Sequence, residues 1–145
     1  MVTRAVVTLV PICLLAASTP PLAAQESLRC TYETRQACAD GECNDMESTD
    51  VSYLVVPAPG PLRAALRPDS TASVEIRRCD DVECNTIPVE AWLRGGWANL
   101  INNHHGYMLR LGKKRHEEAD FSAFTEIVSV RLSVLVGHGR CVVTR

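Results

Sequence analysis

The sequence predicts an all-β fold, namely a small disulfide-stapled antiparallel barrel or sandwich of seven to nine short strands. Apolar residues recur with a period of two along most of the chain, whereas a helical period is hard to find. Residues that favour turns interrupt these stretches about every eight to twelve residues. The chain also has seven cysteines in 145 residues, and dense cysteines are typical of small domains that disulfides stabilise.

Length and composition restrict the possibilities further. A chain of 145 residues fits a single domain. With 46% hydrophobic and 22% charged residues, it matches neither a disordered protein, nor a coiled coil, nor a polytopic membrane protein. The formal net charge of −2 gives no indication of nucleic-acid binding, so we expect no nucleic-acid partner. The sequence indicates no cofactor.

The first 24 residues have the pattern of a secretory signal. Arg4 precedes an apolar run at residues 5–17, and a helix-breaking stretch that ends in small residues follows it up to Ala24, where we predict cleavage. The apolar run is too short to span a bilayer as a stable anchor, so we expect no transmembrane helix in the mature chain. The sequence therefore predicts that residues 1–24 are removed and that 25–145 form one β-rich domain, periplasmic or secreted.

Strand candidates follow one another through the mature chain. In order, they cover residues 28–33, 51–56, 62–67, 72–78, 87–93, 97–101, 107–111, 127–137 and 140–144. The clearest is 127–137, because alternate residues from 128 to 136 are apolar, as in a half-buried antiparallel strand. Residues 137–139 (Gly-His-Gly) supply a turn after it, so that 140–144 return as a hairpin partner. A short helical turn is expected near 45–50.

The cysteines form a repeat. Residues 38–44 (CADGECN) and 79–85 (CDDVECN) match at five of seven positions. Cys13 lies in the secretory signal, where Ile12 occupies the position that a lipoprotein signal reserves for a small residue. The mature chain therefore keeps an even number of cysteines, all candidates for disulfides: Cys30, Cys38, Cys43, Cys79, Cys84 and Cys141.

Disulfides and a four-thiolate metal site are both compatible with the repeat. An exported chain reaches an oxidising compartment, which favours disulfides. The simplest pairing makes one local clip within each repeat and joins Cys30 to Cys141. The alternative pairing joins the two repeats to each other. The acids in the repeats, Asp40, Glu42, Asp81 and Glu83, lack the ligand spacing of a calcium loop, so we expect solvated acidic turns.

Two tryptophans and an arginine form one candidate binding surface. Trp92, Arg94 and Trp97 flank a Gly-Gly pair that predicts a bend between two strands. In one interpretation, they form an exposed platform for a sugar, a peptide or an envelope partner. In the other interpretation, the Trp97 indole fills the core, because the chain has few other large aromatic residues. We favour this second interpretation for Trp97, and for Trp92 the sequence favours neither.

Histidines offer the main candidates for a metal site. His104 and His105 are adjacent on a turn, Met108 could add a soft ligand for copper, and His138 lies near the C-terminus. A zinc or copper site needs three or four converging ligands, and the spacing provides no such set, so solvated histidines are expected. A basic run, Arg110, Lys113, Lys114 and Arg115, is followed at once by acids and indicates a solvated hairpin loop.

Catalysis is not expected from the sequence. No Gly-x-Ser-x-Gly motif is present, and each mature cysteine is better explained by a disulfide. Ser129 and Ser133 lie on the outer face of a predicted strand without a visible acid–base partner. Paired carboxylates for glycoside cleavage depend on the fold and leave no mark in the spacing.

Several pieces from residue 76 onward stand out together: Arg77-Arg78-Cys79-Asp80 with Cys84-Asn85-Thr86, Gly95-Gly96-Trp97-Ala98-Asn99, Phe124-Thr125-Glu126-Ile127-Val128-Ser129, and Gly137-His138-Gly139-Arg140-Cys141. With these pieces and the secretory signal, the chain resembles a group of small exported proteins of alphaproteobacteria that have no assigned activity. The group often has a smaller aromatic residue where Trp97 stands, and the stretch 115–121 is longer here. The resemblance implies a shared disulfide-stapled β fold and no catalytic residue.

The sequence thus predicts a non-catalytic interaction module of the periplasm or the cell envelope. Its partner would be an envelope or extracellular protein, or a small ligand. The alternative is a small metal-binding protein that uses the turn histidines, with a hydrolase ranked after both. An exposed aromatic surface around Trp92 would favour the first, whereas a pocket that gathers titratable groups with shifted pKa values would favour an enzyme.

Overall fold

The computed structural model describes residues 26–46, 51–66, 71–113 and 120–145. Four predictions fall wholly or partly outside these residues: the secretory signal at 1–24, most of the helical turn near 45–50, the last residue of the strand at 62–67, and Lys114 with Arg115 of the basic run. In chain order, the elements of the described residues are β1 (Ser27–Ala39), β2 (Glu42–Asp45), β3 (Tyr53–Pro57), α1 (Pro59–Ala65), β4 (Ala72–Cys79), β5 (Cys84–Arg94), β6 (Trp97–Asn102), a 3-10 helix (Asn103–His105), β7 (Tyr107–Gly112), β8 (Ala123–Val130) and β9 (Ser133–Thr144).

The strands form one antiparallel sheet that closes on itself. The strand order is β2-β1-β3-β4-β5-β6-β7-β8-β9, and β9 also pairs with β1, from Ser27 opposite Thr144 to Cys38 opposite Val134. Eight strands therefore make a closed barrel, and β2 is an additional strand that pairs with the C-terminal part of β1. The predicted all-β antiparallel fold is confirmed, and between the two architectures the structure is a barrel.

The two ends of the barrel differ in chemistry. At the helix end, α1 connects β3 to β4 and Phe121 precedes β8; the side chains of Leu62, Leu66 and Phe121 are at most 1% exposed. At the opposite end, the hairpin end, lie the β1–β2, β4–β5 and β8–β9 turns and the 3-10 helix. Apolar side chains fill most of the barrel from the helix end, whereas the hairpin end contains the buried charges described below.

The predicted strand at residues 62–67 is wrong, because α1 occupies most of this segment. Pro59 and Pro61 lie in the first turn of the helix, where the missing N–H groups have no intrahelical partner to lose. Leu62 and Leu66 are one helical turn apart, and the Leu66 N–H donates to the Leu62 carbonyl. Both leucines are buried at the end of the barrel, so the alternation that suggested a strand comes from a short amphipathic helix.

The boundary between the last two strands also differs from the prediction. The turn lies at Arg131 and Leu132, where Arg131 has a φ of 51°. The predicted turn at residues 137–139 instead lies inside β9, which continues to Thr144. Gly137 and Gly139 serve the interior of the barrel rather than a turn, because large side chains from neighbouring strands lie over both residues. The predicted helical turn near 45–50 is likewise wrong at its start, since Asp45 ends β2.

Three disulfides are present: Cys30–Cys141, Cys38–Cys43 and Cys79–Cys84. The first of the two predicted pairings is therefore confirmed. Each bond joins residues directly opposite one another on neighbouring antiparallel strands, and Cys30–Cys141 lies at the seam where β1 meets β9. Three disulfides in so short a chain are typical of proteins that fold in an oxidising compartment. In the described part of the chain, no helix is long and apolar enough to cross a membrane.

The two cysteine repeats form hairpins with different turns. In the first, Ala39 still pairs with Glu42, which leaves Asp40 and Gly41 as a two-residue turn with φ values of 53° and 85°. In the second, Asp80 carries the turn, because its carboxylate accepts the N–H groups of Val82 and Glu83 at 2.7 Å each. The second turn has no glycine and uses an aspartate side chain instead.

Candidate functional site

A group of charged and phenolic side chains occupies the barrel interior near the hairpin end. We call it the lumen cluster, and its members are Tyr32, Arg35, Arg78, Tyr107 and Glu126. Glu126 is 2% exposed, and its Oε1 accepts from Arg78 Nε at 3.0 Å. Arg78 lies on β4 and Glu126 on β8, which are opposite one another in the ring of eight strands, so this ion pair crosses the lumen. None of these five side chains is a predicted site residue.

An irregularity in β1 brings two more members inside. The register between β1 and β9 shifts between Tyr32 and Thr34, which is a β-bulge at Glu33. Tyr32 and Arg35 are three residues apart, yet both point into the barrel, and the Arg35 guanidinium lies 4.5 Å from the centre of the Tyr32 ring. The Tyr32 hydroxyl donates to Glu126 Oε2 at 2.6 Å. Strict alternation would place Tyr32 and Arg35 on opposite faces, so sequence periodicity hides this group.

Glycines on β9 make these contacts possible. Gly137 lies opposite both Arg35 on β1 and Glu126 on β8. A Cβ at Gly137 would approach the Tyr32 ring to 2.7 Å, closer than side chains tolerate. At Gly139, a Cβ would overlap the Thr31 carbonyl and the Phe124 ring. Without inward side chains at these two positions, residues of β1 can reach β8 across β9.

Burial and charge shift the pKa values of the cluster. Burial, followed by the neighbouring Glu126 carboxylate, raises the pKa of Tyr32 and of Tyr107 well above the ordinary value of 10.0. Burial alone would lower the pKa of Arg78, but the combined attraction of Glu126 and the two tyrosines raises it. The tyrosines therefore remain protonated donors and Arg78 remains charged. The Tyr107 hydroxyl is buried and faces Glu126, whose charge and hydrogen bonding both contribute to the raised pKa, although no partner in the described residues meets strict hydrogen-bond geometry.

Pockets flank the lumen cluster at the hairpin end. A pocket of about 300 Å³ lies between β4–β5 and β7–β8, and Arg78, His105 and Tyr107 belong to its lining. We call it the Arg78 pocket. A second pocket of about 240 Å³ includes Tyr32 and Arg35. The cluster supplies hydrogen-bond donors and a fixed ion pair, whereas its protonated tyrosines and paired carboxylate do not form a nucleophile with an adjacent base.

The predicted platform residues all lie on the outside of the barrel wall. Ala91 and Ala98 point inward and are buried, so the alternating Trp92, Arg94 and Trp97 point outward. Arg94 is the direct partner of Trp97 across β5 and β6, and Trp92 lies diagonally beside Trp97. The two indoles are half-buried and Arg94 is exposed. The preferred prediction that Trp97 fills the core is therefore wrong, because the parity of β6 directs it outward.

Arg110 lies beside these three residues, although the sequence predicts it only as part of a charged loop. It lies on the outer face of β7, with its guanidinium 4.4 Å from the centre of the Trp97 ring. A Cβ at Gly112 would overlap the Trp97 indole, so the ring lies flat on the wall over this glycine. We call Trp92, Arg94, Trp97 and Arg110 the tryptophan surface. An Arg–Trp pair at this distance is a cation–π contact.

The metal-site candidates are distributed over two strands and a turn. His104 and His105 lie in the exposed 3-10 helix, Met108 lies on β7, and His138 lies on β9, where its Nδ1 is 3.0 Å from Thr125 Oγ1. The described residues contain no group of three or more His, Cys, Asp or Glu side chains that could hold a metal ion. Asp40, Glu42, Asp81 and Glu83 of the cysteine repeats are exposed, in agreement with the expected solvated turns.

Comparison of the chain with known protein families, with curated proteins and with solved structures finds no match.

Proposed function

We propose that this protein is a non-catalytic interaction module that works in the periplasm or outside the cell, and that it binds a protein partner through the tryptophan surface. The observation that carries this proposal is the grouping of two tryptophans and two arginines on one stretch of the outer wall. Tryptophan and arginine are the residues most enriched at the energetic centres of protein interfaces. The module would contribute a rigid surface rather than a reaction.

The charge of this surface indicates the kind of partner. Arg94 and Arg110 are both exposed and flank Trp97 from the neighbouring strands. A partner with an acidic patch would complement them, and the half-buried indoles would provide apolar area within the same contact. Because the Trp97 indole lies on the wall over Gly112 and the Arg110 guanidinium stacks on that indole, ordering these two side chains on binding would cost little conformational entropy.

Three features support export. The pattern of residues 1–24 is that of a secretory signal. The disulfides require an oxidising compartment to form and persist, and the resemblance to small exported alphaproteobacterial proteins points the same way. The periplasm and the extracellular space both fulfil this condition.

Site-specific photo-crosslinking tests the surface. The disulfide-intact mature protein would be labelled at position 94 on the tryptophan surface, or at position 77, where Arg77 is also exposed on β4. In cells of its organism of origin, we expect one discrete adduct from position 94 and none from position 77. The adduct should weaken at raised salt, because complementary charges are screened.

Substitutions then assign the adduct to the surface. Trp92→Ala in the chain labelled at position 94 should abolish the adduct. The matched control is Tyr53→Ala on β3, because Tyr53 is also an outward aromatic under an arginine, Arg29, whose guanidinium lies 3.9 Å from the ring centre. Adducts of equal strength from positions 77 and 94, or an adduct that survives Trp92→Ala, would contradict the proposal.

A further inference from the structure

We propose that the Arg78 pocket is a binding site for a small organic carboxylate with an apolar body. The site is separate from the tryptophan surface, since it lies at the hairpin end of the barrel and opens beside the lumen cluster. The pocket volume of about 300 Å³ is at the lower end of the range for small-molecule sites, about 300 to 1,000 Å³. It therefore suits a compact ligand.

The lining has the composition of a ligand site. Ile87 and Val128 give the pocket apolar walls, and Arg78, His105 and Tyr107 supply the polar groups. Sites for small molecules are mostly apolar with a few convergent polar groups that orient the ligand. Here the polar residues come from β4, the 3-10 helix and β7, and they converge on one pocket.

Arg78 is held in position before any ligand arrives. Glu126 accepts from its Nε, and the arginine side chain is 18% exposed. The guanidinium has further N–H donors on its two Nη atoms, and its planar fork matches the two oxygens of a carboxylate. Because Glu126 is itself anchored by the Tyr32 hydroxyl, a ligand would not have to order the arginine.

The charge balance distinguishes this pocket from its neighbours. As far as the chain is described, the lining of the Arg78 pocket contains no acidic residue. The pocket beside Arg77 also contains Glu75, and the pocket beside Arg35 also contains Glu33, so an arginine there faces a carboxylate of the same lining. In the Arg78 pocket, the balancing carboxylate of Glu126 lies behind the arginine, buried in the lumen. This arrangement favours an anion over a cation.

Tyr107 provides the second independent observation. Its side chain is 2% exposed and belongs to the lining, and its hydroxyl is without a partner at hydrogen-bond geometry in the described part of the chain. A buried hydroxyl without a partner carries a free-energy cost. The raised pKa of Tyr107 keeps this group a donor at neutral pH. This hydroxyl is shielded from solvent and faces Glu126, so Arg78 is the group of the pocket that a ligand oxygen would contact first.

Benzoate and benzamide are matched probes for this site, because they share the ring and differ in the charge of the polar group. The disulfide-intact protein, labelled with ¹⁵N, would be titrated with each compound and followed by NMR. We expect saturable shifts of the Thr86, His105 and Val128 amides with benzoate. Benzamide should bind about tenfold more weakly or less, because a charged hydrogen bond is replaced by a neutral one.

Two substitutions assign the effect to the pocket. Arg78→Lys keeps the charge but loses the planar fork, and we expect benzoate affinity to fall about fivefold or more. Arg77→Lys, one residue away on the outer face, is the matched control and should leave it unchanged. Trp92→Ala should also leave it unchanged, which separates this site from the tryptophan surface.

The outcomes decide the proposal even if Arg78→Lys fails to fold, because the two probes are compared on the unmodified protein. No saturable shift at millimolar benzoate would overturn it. Equal affinity for benzoate and benzamide would also overturn it, since the pocket would then recognise only the ring. Shifts confined to the two indole N–H groups would place benzoate on the tryptophan surface instead.

Discussion

At the residue scale, the inward face of β9 determines what the barrel can contain. The Tyr32 and Phe124 rings meet across Gly139 at a centroid distance of 5.2 Å and an angle of 76°, which is an edge-to-face contact. Gly137 similarly leaves room for the Tyr32 hydroxyl to reach Glu126. The cluster therefore depends on the absence of side chains at two positions as much as on the residues that form it.

Gly139→Ala tests this dependence. The added methyl group would overlap the Thr31 carbonyl, which cannot move without breaking the β1–β9 ladder. We expect the free energy of unfolding to fall by about 3 kcal/mol or more. The matched control is Gly60→Ala in α1, where a Cβ meets nothing within 4 Å; it should be neutral or stabilising by about 0.5 to 1 kcal/mol. Urea denaturation with intact disulfides measures both, and equal effects would contradict the prediction.

The buried phenols should make the protein sensitive to alkali. The pKa of Tyr107 is raised above 10.0 by burial first and by Glu126 second. Above pH 10 the unfolded chain therefore loses a proton that the folded protein keeps. The contribution of this tyrosine to the free energy of unfolding is therefore fully present below pH 10 and is lost as the pH rises towards the folded pKa. One such tyrosine lowers it by about 1.4 kcal/mol at pH 11.

Tyr107→Phe isolates this effect. At pH 7 the variant should be as stable as the natural protein or slightly more stable, because it removes a buried hydroxyl without a partner. Between pH 9 and pH 11, the free energy of unfolding of the variant should fall by about 1.4 kcal/mol less than that of the natural protein. Urea denaturation at the two pH values provides the measurement. An identical fall in both proteins would show that Tyr107 ionises normally.

Residue placement was predictable from the sequence only where strands are regular. Alternation places Arg94 and Trp92 on one face, as found. It fails for Tyr32 and Arg35, because a bulge adds one residue between them. The preference for large apolar residues inside misplaced Trp97, because a glycine at position 112 makes an equally close surface for the indole on the outer wall. Both failures arise from neighbours that are distant in sequence.

At the element scale, the cysteine spacing predicted the local disulfide clips, whereas the hairpin turn predicted at 137–139 and the strand predicted at 62–67 are wrong. The two cysteine repeats form the tips of hairpins, and their cysteines face one another across the strands. A turn of a few residues limits the possible partners, so spacing alone was informative. Residues 62–67 were ambiguous, because a short apolar alternation fits a strand and also one turn of an amphipathic helix. The flanking prolines favour the helix start seen in α1.

The three disulfides should contribute unequally to stability. Cys30–Cys141 closes a sequence separation of 111 residues, whereas each local clip closes a separation of 5. In the chain-entropy description, these loops correspond to about 4.8 and about 2.2 kcal/mol. Replacing both cysteines of one bond by alanine should therefore destabilise the protein most at Cys30–Cys141. Denaturation of the three double variants gives the order, and a larger loss at either hairpin would contradict it.

At the scale of the whole molecule, closure of the sheet creates what the sequence could not show. The alternation of the strands is compatible with a sandwich and with a barrel, because both bury one face. Only the pairing of β1 with β9 distinguishes them, and this pairing joins the first and the last strand of the described residues. Closure also brings β4 opposite β8, so Arg78 and Glu126 meet across the lumen. No local pattern relates these two residues, which are 48 positions apart.

The seam disulfide also has a consequence for how the chain is made. When Cys30 is synthesised, its partner Cys141 lies 111 residues further on, which takes about 6 to 22 seconds at a rate of 5 to 20 residues per second. Cys38 and Cys43 appear during that interval and are the nearest competitors for the Cys30 thiol. The hairpin that joins these two cysteines to each other removes them as wrong partners. We therefore expect the local clip to form first and the bond at the seam to close last.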